Sequence, residues 1–370
     1  KKMIYLDYQA TTALAPEVAA AMVAAMDHYG NPNSAHRLGR IAAADVELAR
    51  GRIMAALGKS DGRLIFTSGA TEALNIAIVG GARSAAPERR RVITLATEHP
   101  AGLETVLALR HEGFEPVILP VGRDGLVDLD IAEAAIDERA ALLAVMQVNN
   151  EIGVIQPVDA LIAIAREAGV PVLCDAVQGF GKLAMPQSDM IVVTAHKAYG
   201  PKGVGALWLR DGLAMPQLMH GSGQEQGIRP GTLSPMLCAG FGVAAQLAAE
   251  RQEADLAHVE ALWQQALGLF ADWQINGAID ARYRGNLNIR QSGVDAARLI
   301  SDARTVAFSL GSACASGTGK PSHVLKAIGL SDSEARGSLR LGFGRFTTSE
   351  ELAAAAALIN EAAAMQKVAA

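Results

Sequence analysis

From Arg63 onward, short β-branched runs alternate with helical stretches, and this alternation constrains the fold more than any other feature of the chain. The runs are Arg63–Thr67, Val92–Ala96, Pro116–Leu119, Leu142–Val148, Val170–Asp175, Met190–Thr194 and Gly205–Leu209. Helical patterns lie between several of them, at Glu72–Gly80, Ala101–His111 and Pro157–Ala168. Strands alternating with helices at this spacing predict a mostly parallel, seven-stranded sheet with helices on both faces. After a helix expected around Asp255–Phe270 the pattern changes. Runs at Gly285–Arg290, Val306–Ser309 and Ser338–Gly342, with helices at Asp295–Ala303, Ser322–Ile328 and Glu350–Met365, predict a smaller α+β unit. The expected division is a large α/β unit over residues 14–254 and a small unit made of residues 1–13 and 255–370. At 370 residues the chain is long enough to give both a core.

Several function classes are excluded early. Half of the residues are apolar, but no apolar run reaches the length of a membrane span. The net charge of −5 leaves no basic footprint for nucleic acid. The start, Lys1-Lys2-Met3-Ile4-Tyr5-Leu6-Asp7, turns polar too soon for a signal peptide. Three scattered cysteines make neither a disulfide framework nor a zinc spacing, so no metal is expected. These features read as a soluble protein of a reducing, cytoplasmic compartment.

Parallel sheets place ligands beyond the carboxyl ends of their strands, and the conspicuous polar residues fall there. Lys197 follows an apolar strand and precedes Gly200-Pro201-Lys202-Gly203. A lysine at a dry sheet edge loses its proton more easily and becomes a nucleophile toward an aldehyde. Thr194 and His196 beside it suit a phosphate. Asp175 ends an apolar run, where a carboxylate needs a partner: a protonated pyridine nitrogen suits it, and so does a helix start that it would cap. Gln178 lies three residues on. Ser68-Gly69-Ala70-Thr71-Glu72 fits an anion site at a helix N-terminus, or a plain capped helix. His99 suits ring stacking and proton transfer, or a structural role. Arg340, within an apolar strand, requires an anion: a bound carboxylate or an internal ion pair. Cys314 lies in Gly311-Ser312-Ala313-Cys314-Ala315-Ser316-Gly317, which reads as a loop that leaves a thiol exposed. Cys174 and Cys238 have apolar neighbours and read as inert core residues.

Taken together the segments resemble the cysteine desulfurases of the class V aminotransferase family, from Tyr5–Thr12 to Arg345-Phe346-Thr347-Thr348. The landmarks, in order, include Gly30–His36, Ser68–Glu72, Glu98-His99, Val148–Gly153, Asp175–Gln178, His196-Lys197, Arg229–Thr232 and Gly311–Cys314. The resemblance implies the type I fold of pyridoxal-phosphate-dependent transferases. Lys197 would carry the cofactor and move the Cα proton, Asp175 would pair with the ring nitrogen and Gln178 with the ring oxygen. His99 would stack on the ring. Ala70, Thr71, Thr194 and His196 would hold the phosphate, joined by Thr232 from the second subunit of a homodimer. Asn150 and Arg340 would hold the carboxylate of L-cysteine. Cys314 would take the sulfur as a persulfide, release alanine, and pass sulfur to an acceptor such as an iron–sulfur scaffold protein. A selenocysteine or cystine lyase, or a weakly active partner that keeps the fold, are the competing readings. Three departures stand out: Gln226 where relatives often carry a basic residue, Gly342 where a serine is usual, and a chain that ends at Ala370, where assembly-type relatives often have a longer tail.

Overall fold

The computed structural model describes residues 3–310 and 321–368. The segment with Cys314 lies outside the described residues. The chain opens with β1 (Ile4–Tyr5), α1 (Pro16–Met26) and α2 (Arg37–Ala56). Seven strands follow: β2 (Arg63–Thr67), β3 (Arg91–Leu95), β4 (Glu115–Leu119), β5 (Ala140–Met146), β6 (Val172–Asp175), β7 (Met190–Thr194) and β8 (Gly205–Leu209). Between them come α3 (Ala70–Arg83), α4 (Pro100–Ala108), α5 (Leu129–Ala135) and α6 (Val158–Glu167).

These strands form one sheet in the order β2-β8-β7-β6-β5-β3-β4. Every neighbouring pair is parallel except those of β8, which runs antiparallel to both β2 and β7. All residues of β5 and β7 are buried, as strands covered on both faces must be. Alternate side chains feed two separate cores. Leu143, Val145, Val172 and Cys174 enter one, while Leu142, Ala144 and Leu173 enter the other. The mostly parallel, seven-stranded sheet expected from the alternation is therefore present.

One expectation needs correcting. The helix expected at Asp255–Phe270 is the second half of α7 (Pro235–Leu269), a single helix of 35 residues that crosses residue 254. Its first half, Pro235-Met236-Leu237-Cys238-Ala239-Gly240-Phe241-Gly242, is too rich in glycine to read as helix. The structure gives the reason: α7 lies so close to α2 that a Cβ on Gly242 would sit 2.6 Å from the Ala49 Cα. Small residues there serve close helix packing.

Beyond α7 come β9 (Gln274–Ile275), β10 (Asn286–Arg290), α8 (Ala296–Asp302), β11 (Val306–Ala307), β12 (Ser309–Leu310), α9 (His323–Ala327), α10 (Asp332–Arg336), β13 (Ser338–Gly342) and α11 (Ser349–Val368). The run expected at Val306–Ser309 is divided between two sheets. β11 pairs with β1, and β12 joins the antiparallel sheet β12-β13-β10-β9. Trp263, Leu287, Ile289, Leu339, Leu341 and Ile359 build the core beneath that sheet, with Leu6 of the N-terminal segment among them. Beyond β1, Asp7 bridges to Gly342 and brings the N-terminal segment alongside β13.

Candidate active site

A cavity of about 450 Å³ opens at the carboxyl ends of β2, β5, β6 and β7. Its walls include Ala70, Thr71, His99, Asn150, Asp175, Gln178, Thr194, His196, Lys197 and Arg340. All the candidate residues meet there except two. Thr232 is exposed and does not line the cavity, and Cys314 falls outside the described residues.

Lys197 ends a short 3₁₀ turn directly after β7. Its Nζ donates to the carbonyls of Gln9 and Ala10, the latter at 2.8 Å. The next turn is strained: Tyr199 has φ of 62°, in the left-handed region that a tyrosine rarely adopts. It is held there because its N–H donates to Thr12 Oγ1 at 2.8 Å, and its hydroxyl accepts the Arg345 N–H at 2.7 Å. The strained turn and the N-terminal segment fix the lysine from both sides.

The start of α3 lacks the side-chain cap that is one alternative at Ser68–Glu72. No side chain caps this helix, and Gly69 supplies none at the N-cap. The first-turn N–H groups at Ala70 and Thr71 therefore adjoin the cavity with the positive end of the helix dipole. Thr194, His196 and Lys202 line the same cavity. The Thr194 hydroxyl donates to Val204 O at 3.2 Å, and His196 Nδ1 is 3.2 Å from Thr11 Oγ1. Burial, reinforced by Lys197, Lys202 and Lys182, pushes the His196 pKa down to about 4, leaving it neutral at pH 7. The chemistry of this corner suits a phosphate.

Asp175, the last residue of β6, is buried, and one of its oxygens accepts the Val177 N–H at 3.0 Å. Burial raises its pKa to about 6 against the pull of that bond and of Lys197. A cationic partner in the cavity would pull it back down. Gln178 donates through Nε2 to Gln9 O at 2.9 Å, while its buried Oε1 has no partner. His99 precedes α4 and its Nδ1 accepts the Ala101 N–H at 3.1 Å. The ring thus both caps a helix and faces the cavity. Burial, then Lys197 and His323, push its pKa down to about 4. With Nδ1 accepting, the neutral ring carries its proton on Nε2.

Arg340 is 1 % exposed. It donates through Nη1 to Asn150 O at 2.9 Å and through Nη2 to Asp7 Oδ1 at 2.8 Å, and its buried Nε has no partner. The internal ion pair is thus present, and the arginine still lines the cavity beside Asn150. Glu151, next in sequence, is buried and accepts the Ser322 hydroxyl. Burial raises its pKa to about 7, although Ser322 and Arg340 pull it down.

The residues that sequence reasoning missed belong mostly to the N-terminal segment. Asp7, Gln9, Ala10, Thr11 and Thr12 touch Arg340, Gln178, Lys197 and His196, several of them through backbone carbonyls that carry no residue-type signal. Lys202 on the cavity wall was visible only as a neighbour of Lys197. Gly342 also gains an explanation. A Cβ there would lie 1.9 Å from Gln9 Oε1, so the Gln9 side chain fills the space that a serine would need. Gln226 lies in a turn where it and Glu225 both have left-handed backbones. Glu225 is clamped by Arg50 at 2.9 Å and by the Phe66 N–H at 2.6 Å. Cys174 and Cys238 are buried and unpaired, and burial pushes the Cys238 thiol up to about 12. Among the described residues no group of His, Cys, Asp or Glu could hold a metal, and no helix is long and apolar enough to cross a membrane.

Comparison with known proteins identifies the family. Residues 4–354 match the family model for class-V aminotransferases. Cysteine desulfurase IscS of Rickettsia bellii is 41% identical over 368 residues, which cover 96% of this chain and 90% of its own length. A probable mitochondrial cysteine desulfurase of Dictyostelium discoideum is 41% identical, over 95% of this chain and 81% of its own. Among solved structures, a NifS-like protein aligns with a TM-score of 0.92 at 31% identity, covering 98% of this chain and 100% of that one. The structure of SspA in complex with cysteine aligns with a TM-score of 0.83 at 33% identity, covering 93% and 99%. By sequence, fold and the composition of its cavity, the chain belongs to the class-V aminotransferases and, within them, to the cysteine desulfurases.

Proposed function

We infer that this protein is an L-cysteine desulfurase that works with pyridoxal 5′-phosphate. The observation that carries this reading is the meeting of Lys197, Asp175, Gln178, His99, Arg340 and the uncapped start of α3 around one cavity. The family is pyridoxal-phosphate-dependent, and the donor set fits that group. Ala70, Thr71, Thr194 and His196 would hold the phosphate, and Asp175 the ring nitrogen. Gln178, with an orphaned buried oxygen, would serve the ring hydroxyl. When bound, the cofactor supplies an electron sink for the bond changes at the substrate carbons.

The remaining roles fall to the chain. Lys197 would anchor the cofactor and carry a proton to and from Cα, and the Gln9 and Ala10 carbonyls hold its Nζ. His99 would offer a proton at Nε2, its ring lining the cavity where the cofactor would be held. Arg340 and Asn150 bind the substrate carboxylate. Cys314 receives the sulfur: the Cβ–S bond of cysteine breaks, an S–S bond forms, and Cβ takes a proton. Alanine and the persulfide account for every atom, and no outside oxidant is needed. The proposed division of labour places the cofactor on the unit of residues 14–254. Arg340 and Cys314 belong to the unit of residues 1–13 and 255–370. Thr232 is proposed to complete the phosphate site of a partner subunit, a reading supported by its exposure and its absence from this chain's own cavity. Two buried, unpaired cysteines support a cytoplasmic location. An iron–sulfur scaffold protein is proposed as the acceptor, on the resemblance carried by Gly311–Cys314.

Purified protein incubated with cysteine, selenocysteine and cystine tests the reading. Alanine produced from cysteine, matched by an equal amount of sulfide once a thiol reductant is added, with cysteine the preferred substrate, is the expected result. Turnover of selenocysteine or cystine alone would overturn it.

A further inference from the structure

Arg340 is a buried cation, and the orientation of its guanidinium decides whether a carboxylate in the cavity can meet it. Asn150 O holds Nη1, but a carbonyl supplies no charge and little directional constraint. The other hold is Asp7. Its Oδ1 accepts from Arg340 Nη2 at 2.8 Å and from the Ser309 hydroxyl at 2.9 Å. The carboxylate is itself fixed from the backbone side. Asp7 bridges to Gly342, the Gly342 N–H donates to Leu6 O at 2.8 Å, and the Ala10 N–H donates to Asp7 O at 3.0 Å. Ser309 is the register partner of Arg340 across β12 and β13. One carboxylate oxygen thus ties the arginine to two strands and the N-terminal segment, and Asp7 does not itself line the cavity.

We propose that Asp7 is a positioning residue for substrate recognition: it sets the plane of the Arg340 guanidinium so that its free N–H groups face the amino-acid carboxylate. The inference rests on the reading of Arg340 as the carboxylate-binding residue. Position and charge make opposite demands on two substitutions. Asp7→Asn keeps an oxygen where Nη2 donates and removes the charge. Asp7→Glu keeps the charge and moves the oxygen by one methylene, about 1.5 Å of chain. If Asp7 positions, the glutamate variant is the damaged one. If it only neutralises a buried arginine, the asparagine variant is.

The test is calorimetric titration of the purified protein and its variants with L-alanine, which has the carboxylate, and ethylamine, which lacks it, beside KM and kcat for cysteine. Asp7→Glu is expected to weaken alanine binding and raise KM by about tenfold or more, the scale of one charge-assisted contact. Ethylamine binding and kcat should change by less than about threefold, within that same one-contact scale. Asp7→Asn should stay close to wild type for both ligands. Equal losses for alanine and ethylamine, or a damaged asparagine with an intact glutamate variant, would overturn the proposal. Arg340→Lys separates the two layers. If it leaves alanine binding intact, the reading of Arg340 is wrong. If it weakens alanine binding while Asp7→Glu does not, only the role of Asp7 fails.

Discussion

Gly342 and Gln9 act as one unit at the edge of the cavity. Any side chain at position 342 would compete with Gln9 for the same space, a Cβ there falling 1.9 Å from Gln9 Oε1. Gln9 is buried and anchored by its Nε2 to Gly285 O at 2.8 Å, so it cannot simply swing away. Gly342→Ser alone should destabilise the protein by about 1–3 kcal/mol, the usual cost of overpacking. Adding Gln9→Ser should recover part of that loss in denaturant titrations, the remainder coming from the Tyr8 backbone N 2.8 Å from the same Cβ, and simple additivity of the two changes would sink the coupling. Glu151 yields a pH prediction. Its pKa is raised from 4.5 to about 7, so the folded state keeps the proton longer than the unfolded chain does. That sign makes it a destabilising group whose cost grows as pH rises from about 4.5 through 7 and is absent below. Glu151→Gln should therefore raise stability at pH 8, by up to roughly 3 kcal/mol, and change little at pH 4.5. A gain that is the same at both pH values would show that its charge is not the cause.

At the scale of elements, α3 is the part whose ending matters most. Its uncapped first turn adjoins Thr71, Thr194 and His196, and phosphate affinity should depend on it. Thr71→Val, which keeps the shape and removes the hydroxyl, should weaken pyridoxal-phosphate binding by about 1 kcal/mol, or five- to tenfold, in absorbance titrations. Unchanged affinity would leave the backbone N–H groups as the whole phosphate site. This level also shows what the sequence makes legible. The runs around β2 to β8 announce a parallel sheet because strands buried on both faces must be apolar throughout. The site residues at their carboxyl ends follow from that topology. The first half of α7 was hidden because its glycines reflect contact with α2 rather than local backbone preference. The part of Gln9 and Ala10 in holding Lys197 was hidden for another reason: a backbone carbonyl is common to every residue, and its partner lies more than 180 positions away. The division of Val306–Leu310 between two sheets was equally invisible, since adjacent strand residues look alike whichever sheet they join.

At the scale of the molecule, the cavity draws on both ends of the chain. The large sheet supplies Asp175 and Lys197, β13 supplies Arg340, and the N-terminal segment touches both groups. Thr232 stands apart on the surface, which motivates a mixing experiment. Chains with Lys197→Ala, which cannot anchor the cofactor, and chains with Thr232→Ala, which should bind it more weakly, should together gain cofactor affinity and activity when allowed to exchange subunits, because one site of each mixed dimer then carries neither lesion. No recovery in dimers proven to have exchanged would count against shared sites. The central claim is that this cavity moves sulfur from cysteine to Cys314. The most direct measurement is a single turnover of the purified protein with cysteine, with alanine quantified and the protein digested for mass analysis. The account predicts one alanine per active site and one added sulfur on the peptide that holds Cys314, removed by reductant and absent from the peptides of Cys174 and Cys238. Alanine released with the Cys314 peptide unmodified, or sulfur found on either buried cysteine instead, would contradict it.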